Sequence, residues 1–96
     1  MTAYIVFIRD EMKNQEEYNR YIQEALPTLR QYHGEVIVFN GRSQSIEGPI
    51  TDGGVILKFK DIESARSWYY STEYTSIKDI RLNATEGRAV IFEGNE

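Results

Sequence analysis

The sequence contains no cysteine, a single histidine and only two prolines in 96 residues. Without thiols there is no disulfide framework, no thiolate metal site and no cysteine nucleophile. With His33 alone, the chain is also short of ligands for a zinc site or a pair of haem-ligating histidines, so no cofactor is expected; the one residual route would be haem held through His33 itself. Positive charge is scarce too. Eleven Lys and Arg stand against fifteen Asp and Glu, a net charge of -4, and no stretch gathers the basic residues into a patch. Phosphate binding draws its affinity from clustered positive charge, so nucleic acid is not an expected partner. No apolar run approaches a membrane span, and Met1-Thr2-Ala3 offers no basic start before an apolar segment. The expectation is an unprocessed cytoplasmic protein with no membrane partner. Gly53-Gly54 lacks the lysine and helix start of a phosphate loop, and no serine sits on a nucleophile elbow.

What is present fits one domain over residues 1–96, small enough that folding hides only about 60 to 70% of its surface. Tyr4 to Ile8 is a short β-branched and aromatic run and reads as a strand. Asn14 caps the helix that follows, with Glu17 three residues on, and Tyr18, Tyr21, Ile22, Ala25, Leu29 and Tyr32 draw one apolar stripe. Pro27 inside that stripe predicts a kink or break between Ala25 and Thr28, and Gly34 a left-handed C-cap. Glu35 to Asn40 and Val55 to Phe59 are the second and third strands, joined by a long connection carrying Gly41, Gly48, Pro49 and Asp52. Asp61 caps a helical piece with Ile62, Ala65, Trp68 and Tyr69 on one face. Ser71-Thr72 caps a second piece with Tyr74, Ile77, Ile80, Arg81 and Ala84, and Gly87 releases the chain into a last strand from Arg88 to Phe92.

The order β-α-β-β-α-β is the ferredoxin-like arrangement, an α+β fold with helices on one face of a four-stranded antiparallel sheet. A sheet covered on one face should alternate apolar with polar residues, yet all four strands are apolar on consecutive positions. The second face therefore calls for cover as well, and a second copy of the same face supplies it, which predicts a homodimer with packed sheets.

Trp68-Tyr69, then Ser71-x-Glu73-Tyr74, with Ile80-Arg81 beyond, resembles the hallmark segment of domain of unknown function family 1330. Ala3-Tyr4, Tyr18, Tyr21, Pro27, Tyr32 with Gly34, Glu47-Gly48 and Glu93-Gly94 fall in that family's order. The chain departs from it at His33-Gly34, where the family has two glycines, and at Lys58-Phe59-Lys60-Asp61, where it has Glu-Phe-Pro-Ser. The resemblance implies a dimeric alpha-beta barrel and no established activity. Superfamilies sharing that assembly include cofactor-free monooxygenases, muconolactone isomerases and haem-degrading enzymes, an analogy of fold alone.

Tyr74, Ile77 and Arg81 share one helical face, which places a guanidinium among apolar neighbours. Either Arg81 holds a ligand carboxylate, with Tyr74 and Tyr4 as hydroxyl donors around an apolar pocket that Tyr69 helps to line, or it pairs permanently with Glu47 or Glu73. His33 has the near-neutral pKa of a general base, but beside Gly34 it also suits a helix C-terminus. Trp68 reads as core, and Glu73 as a helix N-terminal carboxylate. Two functions follow: a cofactor-free enzyme acting on a small organic acid or aromatic metabolite, or a non-catalytic ligand-binding or dimerisation module.

Overall fold

The computed structural model describes residues 1–96. The elements are β1 (Ala3–Met12), α1 (Gln15–Gln31), β2 (Glu35–Phe39), β3 (Gly54–Phe59), α2 (Ile62–Tyr69), α3 (Thr72–Ala84) and β4 (Thr85–Glu93). The strands form one antiparallel sheet in the order β2-β3-β1-β4, the ferredoxin-like topology the sequence predicts. Ile5 lies opposite both Leu57 and Ile91, so these side chains share a face. That face meets the helices. Ala3, Ile5, Val55, Leu57 and Phe59 are buried there against Tyr18, Tyr21, Ala25 and Leu29 of α1, Ala65 and Trp68 of α2, and Tyr74 and Ile77 of α3.

The three helices begin where side-chain oxygens can accept their free N–H groups. Asn14 accepts from the Glu17 amide, Asp61 from Ser64 and Ser71 from Tyr74, each with extended backbone at the cap. Splitting the second helical region in two lets α3 turn back along α1, and Ser71, itself buried, both caps α3 and donates to the Trp68 carbonyl.

Four local expectations are corrected. Pro27 does not break α1, which runs on to Gln31; the ring removes only its own amide, and Thr28 turns its hydroxyl onto the Ala25 carbonyl in the same turn. The left-handed residue after α1 is His33, with φ 59°, and not Gly34. Gly34 is needed for space, since a Cβ there would lie 2.3 Å from Leu29 Cδ1 and 2.8 Å from Phe59 Cε1. β1 runs past Ile8 to Met12, because β4 pairs alongside it across an irregularity between Arg9 and Glu11. Finally, β4 begins at Thr85, with Gly87 inside the strand, where a Cβ would lie 2.2 Å from the Ile8 carbonyl oxygen.

The opposite face of the sheet carries no helix. Val6, Ile56 and Val90 lie in step across it, with Val38 beside them on β2 and Phe92 further along β4. Val38 is 44% and Phe92 57% exposed in the single chain. β2 is an edge strand and exposed throughout.

Gly34→Ala should destabilise the chain by about 1–3 kcal/mol, because the added methyl must displace two packed side chains. Urea unfolding measures this, and an unchanged midpoint would mean that the Leu29 and Phe59 contacts yield freely.

Candidate functional site: an arginine-lined apolar cleft

Between α1 and the sheet lies a cleft with about 50 Å³ of open interior, enough for a few water-sized groups. Its wall is mostly apolar, Phe7, Tyr18, Tyr21, Ile22, Val55 and Trp68 among the residues that line it. Two arginine side chains also line it, Arg9 from β1 and Arg81 from α3, and no acidic residue does. Arg88 of β4 borders the cleft, but it lies opposite Ile8 and in step with Val90, so its side chain belongs to the helix-free face. In a chain of net charge -4 this is a local reversal of sign.

Arg81 reaches the cleft because Tyr74, Ile77 and Arg81 follow one stripe of α3 toward α1 and the sheet. Its guanidinium carbon sits 4.9 Å from the centroid of Phe7 and 6.0 Å from that of Tyr21. Its Nε donates to the Tyr74 hydroxyl at 3.3 Å, and the Tyr74 and Tyr21 hydroxyls share a 2.6 Å hydrogen bond. No carboxylate lies within ion-pair distance of Arg81. Of the two acids weighed as permanent partners, Glu73 instead accepts from the Tyr32 hydroxyl, and Glu47 is exposed in the connection between β2 and β3. The pairing of Arg81 with Glu47 or Glu73 is therefore absent. Its Nη atoms have no protein hydrogen bond and are not sealed off from solvent.

The electrostatics follow from burial. Tyr21 is pushed well above the usual phenol range, first by burial and then by the adjacent Tyr74, with Arg81 opposing. Tyr74 is raised by burial despite the help Arg81 gives to its anion. For Arg81, burial works against the charge, but the neighbouring Tyr74 and Tyr21 outweigh it and its pKa is raised. At neutral pH the group is thus a cation beside two neutral phenols, which can donate hydrogen bonds but cannot act as bases.

The candidates named from sequence separate. Arg81 and Tyr74 come together, and Tyr69 packs behind them, its ring 5.5 Å from that of Tyr74 and its own face under Lys78. Tyr4 does not join them: it lies opposite Lys58 and Phe92 on the helix-free face, and its hydroxyl donates to Glu96. His33 is exposed at the end of α1 and does not line the cleft. Trp68 is core, 1% exposed, with Nε1 donating to Thr28 and its ring 4.1 Å from that of Tyr74.

Sequence reasoning passed over Tyr21, Phe7 and Arg9. Tyr21 was legible only as part of an apolar stripe. Arg9 follows the apolar run Tyr4 to Ile8 and is in step with Ala3, Ile5 and Phe7, so it faces the helices. Its guanidinium lies 5.0 Å from the Tyr18 ring centroid, Nη1 donates to Asn40 at 2.8 Å and Nη2 to the Asp52 carbonyl. Asn40, at φ 52°, also donates to the Tyr18 hydroxyl.

The family model of a domain of unknown function, DUF1330, matches residues 2–95, and the chain belongs to that family. No curated protein matches it. Among solved structures it is similar to a protein of unknown function from Rhodopseudomonas palustris, at 15% identity and TM-score 0.72, covering 99% of this chain and 83% of that one. It is similar to the hydroxynitrile lyase from Passiflora edulis, at 16% identity and TM-score 0.63, covering 99% and 94%. It is also similar to a dimeric protein of unknown function with a ferredoxin-like fold from Bacteroides fragilis, at 16% identity and TM-score 0.54, covering 97% and 95%. At these identities the likeness establishes the fold, and no helix of the chain is long and apolar enough to cross a membrane.

The buried phenols predict an alkaline limit to stability. Tyr21 and Tyr74 have folded pKa values above the unfolded value near 10, so their contribution is complete below about pH 10 and is lost as pH rises through the folded values. In an alkaline titration, phenolate absorbance from these two residues should rise together with loss of far-ultraviolet circular dichroism. Ionisation of all seven tyrosines near pH 10 with the fold intact would contradict the arrangement.

Proposed function

We propose that this protein binds a small organic acid, its carboxylate on Arg81 and its apolar body against Phe7, Tyr21 and Val55. The observation that carries the reading is a guanidinium in an apolar cleft with no carboxylate partner and with free Nη donors. A half-buried cation of this kind gains a charge-assisted, bidentate partner when a carboxylate enters. The small interior favours a compact alkyl or aryl acid.

Of the two function classes, non-catalytic binding has the broader support, because no histidine or carboxylate lines the cleft to act as a base at neutral pH. The Tyr74 contact favours a second reading, cofactor-free catalysis, in which Arg81 and a phenol donor stabilise negative charge developing on a bound acid.

Hexanoate and benzoate are suitable probes. At concentrations well above Kd each should raise the wild-type Tm by roughly 5 °C or more. Arg81→Met should remain folded and lose the shift, while Arg81→Lys should keep part of it. Absence of any wild-type shift, or an equal shift in Arg81→Met, would refute the proposal.

The working unit in this reading is a cytoplasmic homodimer, with a second copy covering the helix-free face where Val38, Val90 and Phe92 stand exposed. The dimeric Bacteroides fragilis neighbour is consistent with that assembly. Sedimentation equilibrium should give about twice the 11.2 kDa chain mass, and the double substitution Val90→Lys with Phe92→Lys should shift the protein to monomer. A monomeric wild type would overturn this part of the reading.

A further inference from the structure

The cleft has two guanidinium ends and not one. Arg81 stacks toward Tyr21 and Arg9 over Tyr18, and the two tyrosine rings, adjacent on α1, lie 5.8 Å apart. Phe7 touches Arg81 and stands two residues before Arg9 on the same face of β1. Arg9 and Arg81 therefore sit at opposite ends of one continuous aromatic wall.

Arg9 is held more firmly than Arg81. Backbone bonds tie it to the incoming end of the long connection, its amide donating to Gly53 and its carbonyl accepting from Asp52. Asn40 and the Asp52 carbonyl take one hydrogen bond from each Nη. The Asp52 carboxylate stands 3.7 Å from Nε without a hydrogen bond, and its Oδ2 is already engaged by the Met12 amide at 2.9 Å. The Arg9 side chain is 13% exposed, and Nε is a buried donor with no hydrogen-bond partner. A donor in that state costs free energy until an acceptor reaches it.

We infer that the cleft selects ligands carrying two anionic groups, a compact dicarboxylate whose first carboxylate sits on Arg81 and whose second is taken at the Arg9 end, with the spacer lying along Phe7, Tyr18 and Tyr21. This deepens the reading of Arg81 as a carboxylate anchor and rests on it. Asp52 stands near Arg9 and no carboxylate stands near Arg81, so a carboxylate on Arg81 meets the charge of that end and leaves the buried Nε of Arg9 still without an acceptor at the other.

The test compares acids of equal chain length, hexanoate against adipate, by titration calorimetry on the full chain. Wild type should bind adipate about tenfold more tightly than hexanoate, the worth of one further charge-assisted contact. Arg9→Met should abolish that preference by weakening adipate about tenfold more than hexanoate, and Arg9→Lys, which keeps the charge but not the fork, should retain part of it. Arg81→Met should weaken both acids. The preference should also shrink as salt is raised. Equal affinities for the two acids in wild type, with hexanoate still dependent on Arg81, would refute the two-ended site and leave the one-carboxylate reading standing. Loss of hexanoate and adipate binding to the same extent in a folded Arg9→Met would also refute it, by making Arg9 a structural residue. No binding of either acid to wild type would refute both readings together.

Discussion

The Tyr74 side chain has no exposure at all, and a phenol buried that completely must find partners for its hydroxyl. Much of the molecule is arranged by how that demand is met. Tyr21 reaches across from α1 and Arg81 reaches back from the last turns of α3, so one oxygen ties the two long helices together and fixes where the guanidinium stands. The ring below the hydroxyl is clamped by Trp68, which is fastened to α1 through Thr28. The same bond that completes the core therefore aims a cation at the cleft.

That arrangement needs the helices on one side only. With α1, α2 and α3 on a single face, side chains of β1 alternate between a deep core and a face without helices, and the cleft opens where core packing thins toward the end of the sheet. There a glycine flanks β1 on either side. Gly54 and Gly87 lie opposite Ile8 and Arg9 on the two neighbours of β1, and a Cβ at either would strike a β1 carbonyl. Their lack of side chains leaves Arg9 as the group that finishes the cleft on the sheet side.

The fold was legible because its signals are local. Capping residues before apolar stripes marked α1, α2 and α3, and the Ser71 cap marked the bend between the last two. The site was legible only in part. Spacing placed Arg81 beside Tyr74, since both lie on one helix, but could not say that Tyr21 and Phe7, from other elements, would meet it in place of Glu47 or Glu73. Tyr4 was misplaced for a definite reason: from Tyr4 to Ile8 every residue is apolar, so the run carries no alternation to show which parity faces the helices. Once Ala3 and Ile5 are known to be buried, parity turns Tyr4 away and brings Arg9 in.

Arginine is the residue that makes such a cleft feasible. A lysine ammonium, compact and strongly hydrated, would give up more solvation among these rings and offer no fork, whereas a guanidinium is weakly hydrated and planar and lies against aromatic faces. Phe7, Tyr18 and Tyr21 supply those faces, so Arg9 and Arg81 stay charged at the protein's interior edge without a carboxylate hydrogen-bonded to either. Charge held in this way is worth more to an incoming anion than the same charge in open water, because the surroundings screen it less. The wall that makes the cations tolerable is also what restricts their partners, since an anion must carry a flat or slender apolar body to lie along it.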